Sequence, residues 1–479
     1  MSQDTSSSSS TLMLSSVEDV LALTLQCGDR LGLVQSSLIP ALHRFTHDAR
    51  IDSDALLARP VEGDRDPLGA LSPAVNTVGY LYILTARLKL YTSQEQTNVH
   101  LAVASQFVES FNLAQARCVG GKVAQLARQV AELGDRIGDA KAVLPILEVL
   151  FARFTQDRPN SLTALHPVLA YQYLKSSLYQ EAYERLLRRE HIDVDVYALP
   201  NHTDVLEYFY YSGMILTKLK LHEQAIDSFE TCISSPSAAV SAIQMDAYKK
   251  LVLVQLLAHG QTSPPPRYTA QVVVRSFKQL GAAYTAFATA YEARDADCLS
   301  RLEALVNQRA ETFTQDCNFG LVFQCLELHR QRRIQRLGEV YSSLTLMDVA
   351  ELLNIQGEDR ERVVQAEVEA LVSKGWITAT IHPSASMPAP SATPSSLPSH
   401  DSPVIVFEQQ QSESYETIET VQKLTAAIKR SQAIQRVVEQ RERHVARSVE
   451  FLKKQAQGSR GNRYLDLGTD EFEDDAFAA

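Results

Sequence analysis

The sequence has no Cys-x-x-Cys pair. Cys27, Cys118, Cys232, Cys298, Cys317 and Cys325 are scattered, which speaks against a zinc framework or dithiol motif and makes a reducing compartment the default. There is no Gly-x-Ser-x-Gly elbow to present a hydrolytic serine. No two histidines are separated by one residue, so the paired-histidine zinc cluster of isopeptidases is missing as well. Long apolar runs are also lacking. The best uncharged stretch, 68–86, contains Ser72, Pro73, Asn76 and Thr77, which suits a buried helix beginning near Ser72 and Pro73 better than a membrane span. The first residues carry Asp4 and a serine run from Ser6 to Ser10, and the first apolar patch is broken by Glu18 and Asp19. That is unlike a secretory signal, so the chain is expected in cytoplasm and nucleus, with no membrane partner.

What is present is enough for several cores. The 479 residues are 45% hydrophobic and 22% charged, with a mean hydropathy of -0.14. Such a length predicts about three domains or one repeat array. The net charge is -11, but Asp466, Asp470, Glu471, Glu473, Asp474 and Asp475 crowd the last stretch and the remainder is nearly balanced. No whole-chain electrostatic footprint for nucleic acid results.

From Val17 to about Gln308 apolar residues recur three and four apart, and no convincing strand appears. Helical runs read at 143–154, 162–174, 179–187, 205–219, 223–233 and 240–258, with Pro264-Pro265-Pro266 as punctuation. Gly213 is followed twelve residues later by Ala225, then by Phe229 and Cys232 on one face, with Pro236 ending the unit. This is the spacing of a tetratricopeptide repeat; Ala170, Tyr173, Ala182 and Leu186 echo it with an irregular offset. Ordinary antiparallel helices share this periodicity. Either reading gives an α-solenoid-like scaffold.

The pattern changes near Tyr341. Leu344 to Leu353 reads as a helix with Thr345 as N-cap and Asp348 reinforcing it. A second helix buries Val364, Val368 and Leu371, and Gly375 stops it. Ile377, Ala379 and Ile381 then alternate with polar residues, and Val404 to Phe407 offers a partner strand. Helix, helix, strand, strand is the order of a winged helix. The Ser/Pro/Ala-rich stretch 383–403 is expected to be a disordered insertion at the hairpin tip. From about Thr417 to Gln457 runs one long helix with a narrow stripe of Val421, Leu424, Ile428, Ile434, Val438, Val445, Val449 and Leu452. A stripe this narrow calls for partner helices.

Local chemistry is sparse. Gly121-Lys122 looks like the end of a phosphate loop, but Ala116 stands where that loop needs glycine and Val123 replaces its hydroxyl. His43 and His47 lie one turn apart without a third metal ligand. No catalytic residue, metal or cofactor is expected. The second helix of the winged segment carries Glu358, Asp359, Glu361, Glu367 and Glu369 against Arg360, Arg362 and Lys374, the wrong sign for entering a major groove. A basic cluster at Arg330, Arg332, Arg333 and Arg336 is the one place for nucleic-acid contact, with intersubunit or solvent exposure as its expected use.

A helical array running into a winged helix and a long terminal helix resembles the PCI family, found in the proteasome lid, the COP-nine signalosome and translation initiation factor three. The segments Tyr208-Phe209-Tyr210-Tyr211-Ser212-Gly213-Met214-Ile215, Ala247-Tyr248-Lys249-Lys250, Tyr268 to Val273, Glu311 to Val322 and Ile334-Gln335-Arg336-Leu337 closely resemble the third-subunit family of the signalosome. The match is good from about Tyr208 to Leu353, weaker through the wing and vague before Val143. The expanded tip after His382 departs from the family pattern and leaves the pairing of the wing strands open.

The resemblance implies a mostly α fold: a TPR-like α-solenoid, a winged-helix PCI subdomain and a long C-terminal helix. It implies a non-catalytic scaffold of the complex that deneddylates cullins and regulates cullin-RING ubiquitin ligases, with metalloprotease chemistry in another subunit. A proteasome-lid or initiation-factor subunit is the alternative of similar architecture; a winged-helix nucleic-acid binder is another. Boundaries are expected at 1–16 for a tail, 17–204 for the N-terminal array, 205–409 for the PCI domain (205–340 helical, 341–409 winged), 413–457 for the bundling helix and 458–479 for an acidic tail. Expected partners are other PCI subunits and the metalloprotease-containing subunits, contacted through wing residues Ile377, Ala379, Ile381, Val404 and Val406 and through the terminal stripe.

Overall fold

In the computed structural model, residues 14, 16–47, 52–61, 65–90, 94–188, 193–194, 197–237, 239–293, 298–353, 355, 359–382, 403–408, 417–449 and 452–453 are described. The expected insertion 383–403, apart from Pro403, the acidic tail 458–479 and nearly all of the tail 1–16 lie outside them. Two compact units are present, Met1–Phe407 and Glu408–Ala479.

The first unit opens with the helix Val17–Cys27. Ser16 caps it by accepting from the Asp19 amide at 3.2 Å, while Asp19 Oδ2 accepts from the Ser16 amide at 3.1 Å. This reciprocal pair satisfies two amides that a helix start otherwise leaves open. The uncharged stretch forms the helix Thr77–Leu90, four residues later than the sequence suggested, and every residue from Thr77 to Ala86 is buried. Its Gly79 lies against the first helix, where a Cβ would stand 2.4 Å from Thr24 Cγ2.

The array propagates because single helices serve two cores. In the helix His202–Lys218, Tyr208 and Ile215 belong to the first apolar cluster, and Leu206 and Leu216 to the second. In Ala242–His259, Met245, Ala247, Leu251 and Val254 face that second cluster, while Val252, Leu253, Leu256 and Leu257 face a third with Tyr284, Phe287 and Phe313. A helix apolar all round is therefore an interior layer of a stack. The repeat spacing has the anticipated physical content. A Cβ on Gly213 would lie 2.6 Å from Phe229 Cε1, so only glycine admits this ring, and Ala225, Phe229 and Cys232 are fully buried beside it.

Three expectations for the array need correction. Strand does occur in the array: Ser161–Leu162 pairs in parallel with Asp193–Val194. The expected helix from Leu162 consequently starts only at His166, with Pro167 in its first turn. The run at 179–187 is a single α-turn, Tyr179–Ala182, followed by a wider π-turn over Tyr183–Leu187.

The long helix Phe319–Val340 leads to the winged helix. Thr345 caps the helix Leu346–Leu352 by accepting from the Asp348 amide at 3.0 Å. Val364, Val368 and Leu371 of the helix Arg360–Ser373 are fully buried, and Gly375 turns the chain with φ +70. The sheet holds three strands rather than two. Ser343–Thr345, its Leu344 and Thr345 read from the sequence as the start of the helix to Leu353, pairs antiparallel with Val404–Glu408, setting Ser343 opposite Val406, Leu344 opposite Ile405 and Thr345 opposite Val404. Thr378–His382 flanks Val404–Glu408 on its other side, so the wing strands do pair despite the enlarged tip. The module packs onto the end of Phe319–Val340, where a Cβ on Gly338 would meet Phe407 Cδ1 at 2.8 Å.

In the second unit, Thr417 caps the helix Ile418–Ala446. The single helix read to Gln457 instead breaks at Arg447–Ser448. There Ser448 Oγ donates to the Val445 carbonyl at 2.8 Å and the Arg447 amide closes a tight turn on His444, a side-chain bond that competes with the helical ladder. Val449 and Leu452 lie beyond that break.

Candidate interaction surfaces

Among the described residues no group of three or more His, Cys, Asp or Glu side chains converges as a metal site, and no helix is long and apolar enough to cross a membrane. His43 and His47 do meet, their rings stacked 4.0 Å apart, but they remain two ligands rather than three. Gly121-Lys122 lies in the first turn of the helix Gly120–Ile137.

Three of the four arginines of the basic cluster are half-buried and bind inside the chain, while Arg336 is exposed. Arg330 pairs with Glu367 at 3.2 Å and faces Glu303 at 3.8 Å. Arg332 forks onto the last turn of Ala242–His259, reaching the carbonyls of Leu256 at 2.6 Å, Ala258 at 2.7 Å and Leu257 at 2.8 Å. Arg333 donates to the Leu352 carbonyl at 2.8 Å. Bidentate guanidinium geometry suits this bracing of helix ends. The cluster thus clamps the array to the winged helix.

The wing residues divide by face and by edge. Ile377, Ala379 and Ile381 turn toward the winged-helix core, Ile377 being 6% exposed. Val404 and Val406 are half-buried, and Ile405 and Phe407 between them are core residues. The sequence offered Val404 to Phe407 as a wing strand that contacts partners. That strand is central and hydrogen-bonded on both sides, so the edges open among the described residues are Ser343–Thr345 and Thr378–His382. Outside the core, Val340, Tyr341, Leu352, Val363, Val372 and Trp376 stay substantially exposed. Val363 and Val372 are off the period of Val364, Val368 and Leu371, and that mismatch is the signal in the sequence that could have found them.

The terminal helix buries none of its residues. Val421, Leu424, Ile428, Val438 and Val445 expose between 49% and 56% of their surface, and Ile434 is half-buried. Around this stripe the helix is stabilised locally, by Lys423–Glu419 at 3.0 Å and Arg443–Glu439 at 3.6 Å, pairs that contribute a few tenths of a kcal/mol each. A 29-residue helix with no buried side chain lacks the tertiary packing that supplies most helical stability in proteins.

Comparison with known proteins agrees with this architecture. The family profile described as COP9 signalosome complex subunit 3, N-terminal helical repeats, matches residues 46–273. The chain is 29% identical to COP9 signalosome complex subunit 3 of Arabidopsis thaliana over 346 residues, 72% of this chain and 76% of the relative. It is 32% identical to COP9 signalosome complex subunit 3 of Emericella nidulans over 324 residues, 59% of this chain and 63% of the relative, slightly under two thirds of that protein's length.

Proposed function

We propose, for a chain related to COP9 signalosome complex subunit 3, that it works as a non-catalytic scaffold subunit of a signalosome. Such a complex removes a ubiquitin-like modifier from cullins and so regulates cullin-RING ubiquitin ligases, with the isopeptidase chemistry in another subunit. Cytoplasm and nucleus are the compartments that fit this role.

The observation that carries the reading is the terminal helix, whose apolar stripe is half exposed along its length. Burying that stripe among neighbouring helices stabilises an assembly by roughly 25 cal/mol per Å² of apolar surface removed from water. The winged helix supports the same role, since the backbone edges of Ser343–Thr345 and Thr378–His382 can each extend a neighbour's sheet. The array then serves as an arm that carries the winged helix.

Replacing Ile434, Val438 and Val445 together by aspartate tests this role. The triple variant is expected to keep the thermal midpoint of the isolated chain, because these side chains contribute little to its own core, and to be lost from the co-purified complex. Recovery of the variant with the same subunits as the wild type would overturn the assignment.

A further inference from the structure

Cys27, Cys232, Cys298 and Cys325 are buried, and three of them act as donors to backbone carbonyls. Cys27 Sγ reaches Leu33 at 3.9 Å, Cys232 Sγ reaches Leu206 at 3.5 Å and Cys325 Sγ reaches Leu253 at 3.6 Å. Such contacts hold the thiol protonated, and burial pushes the pKa of each of the three up. Cys298 is the exception. It is the first residue of the helix Cys298–Gln308, and its Sγ accepts from Arg333 Nη1 at 3.7 Å and lies 3.8 Å from His329 Nε2.

These three side chains meet on the wall of one open cleft of about 360 Å³, which is also lined by Arg336, Leu337, Glu339 and Val340. Two guanidinium groups thus stand there against a single carboxylate. His329 is 3% exposed, and among the described residues its Nδ1 has no hydrogen-bond partner. A buried polar atom left open on a cleft wall retains capacity for a guest. Burial lowers the pKa of this ring and keeps it neutral near pH 7, so Nε2 can accept from the thiol while the Arg333 guanidinium favours the thiolate.

Access sets the size of the guest. Cys298 is only 2% exposed, so a peptide-sized disulfide cannot align with its sulfur, whereas a hydroperoxide needs little more room than a water molecule.

We propose that Cys298 is an oxidation site for a small hydroperoxide, with Arg333 and His329 holding the sulfur and the cleft admitting the reagent. Sγ attacks one peroxide oxygen, the O–O bond breaks, and the departing hydroxide takes the thiol proton and leaves as water. The sulfur is oxidised to a sulfenic acid and the peroxide is reduced, with no further reagent needed. The site does not rest on the scaffold role.

Brief exposure of the full chain to hydrogen peroxide, followed by a dione that traps sulfenic acids and by mass spectrometry at each cysteine, tests the site. Cys298 is expected to be trapped about tenfold faster or more than the exposed Cys317, the scale of one charge-assisted hydrogen bond. With a polymer-bearing maleimide the order is expected to reverse, because bulk then decides. Arg333→Gln is expected to slow trapping at Cys298 about tenfold and to leave Cys317 unchanged. A fold loosened by loss of the Arg333 contact to Leu352 would expose Cys298 and speed its reaction, so a slower rate cannot arise from unfolding. Cys298→Ser should remove the adduct at that position. Trapping at Cys317 as fast as at Cys298, trapping at Cys298 only in urea, or an unchanged or faster rate in Arg333→Gln would overturn the proposal.

Discussion

Lys249 Nζ lies 2.6 Å from Asp316 Oδ1, and this ion pair ties the helix Ala242–His259 to the turn that follows Ala310–Gln315. Beside it Lys250 Nζ donates to Asn318 Oδ1 at 2.5 Å. Tyr284 OH donates to Asp316 Oδ2 at 2.8 Å and accepts from Asn318 Nδ2 at 2.9 Å. Cys317, between the two acceptors, takes φ +55 to let both side chains turn inward. Asp316→Ala is expected to destabilise the chain by roughly 2–4 kcal/mol, because Lys249 and Tyr284 lose their shared acceptor in a poorly hydrated site. Urea denaturation measures this. A loss below about 0.5 kcal/mol, typical of exposed pairs, would show that the network does not hold the layers together.

Arg332 makes a second prediction of different character. Its three carbonyl partners end the helix Ala242–His259, and Gly260 beyond them takes φ +74 with no room for a Cβ, which would stand 2.3 Å from Arg332 Nη1. A lysine carries the charge but not the planar fork, so Arg332→Lys should rescue little of what Arg332→Ala loses. Both variants are expected to unfold about 2 kcal/mol or more below the wild type. A lysine variant as stable as the wild type would mean that charge at the helix end is sufficient.

Much of this fold is legible in local pattern. The Thr345 and Asp348 reciprocal cap, the Val364, Val368 and Leu371 stripe, and the Gly213 and Phe229 contact all depend on residues close in sequence or on one helical period, and each appears where the spacing put it. What escaped depends on distant partners. Ser343–Thr345 is a strand because Val404–Glu408 lies beside it, and three residues are too few to show alternation. The arginine cluster looked like free charge because its acceptors, such as the Leu256 carbonyl, are about 75 residues away. The same limit separated His43 and His47 from Lys122, which line one cleft only once the chain is folded.

His329 gives a prediction in pH. It is 3% exposed, its Nε2 lies 3.8 Å from Cys298 Sγ, and its ring meets the Tyr291 ring edge to face at 4.7 Å. Burial lowers its pKa to about 4, helped by Arg333, Arg336 and Arg332 and opposed by the Tyr291 backbone carbonyl, which favours a protonated ring. In the unfolded chain the ring titrates near 6.5. Above that value it is neutral in both states and its contribution is constant. As the pH falls from about 6.5 toward about 4, the unfolded chain takes up a proton that the folded chain refuses, so stability is lost and the loss levels off below about 4. Between pH 7.5 and pH 5 this one group should remove about 2 kcal/mol. His329→Gln, though less stable at pH 7.5 through its altered packing, should lose correspondingly less over the same interval in urea denaturation. An equal drop in both proteins would place the acid sensitivity in other groups, whereas a smaller drop in the variant identifies the buried imidazole beside Cys298 as a point where acid destabilises the array.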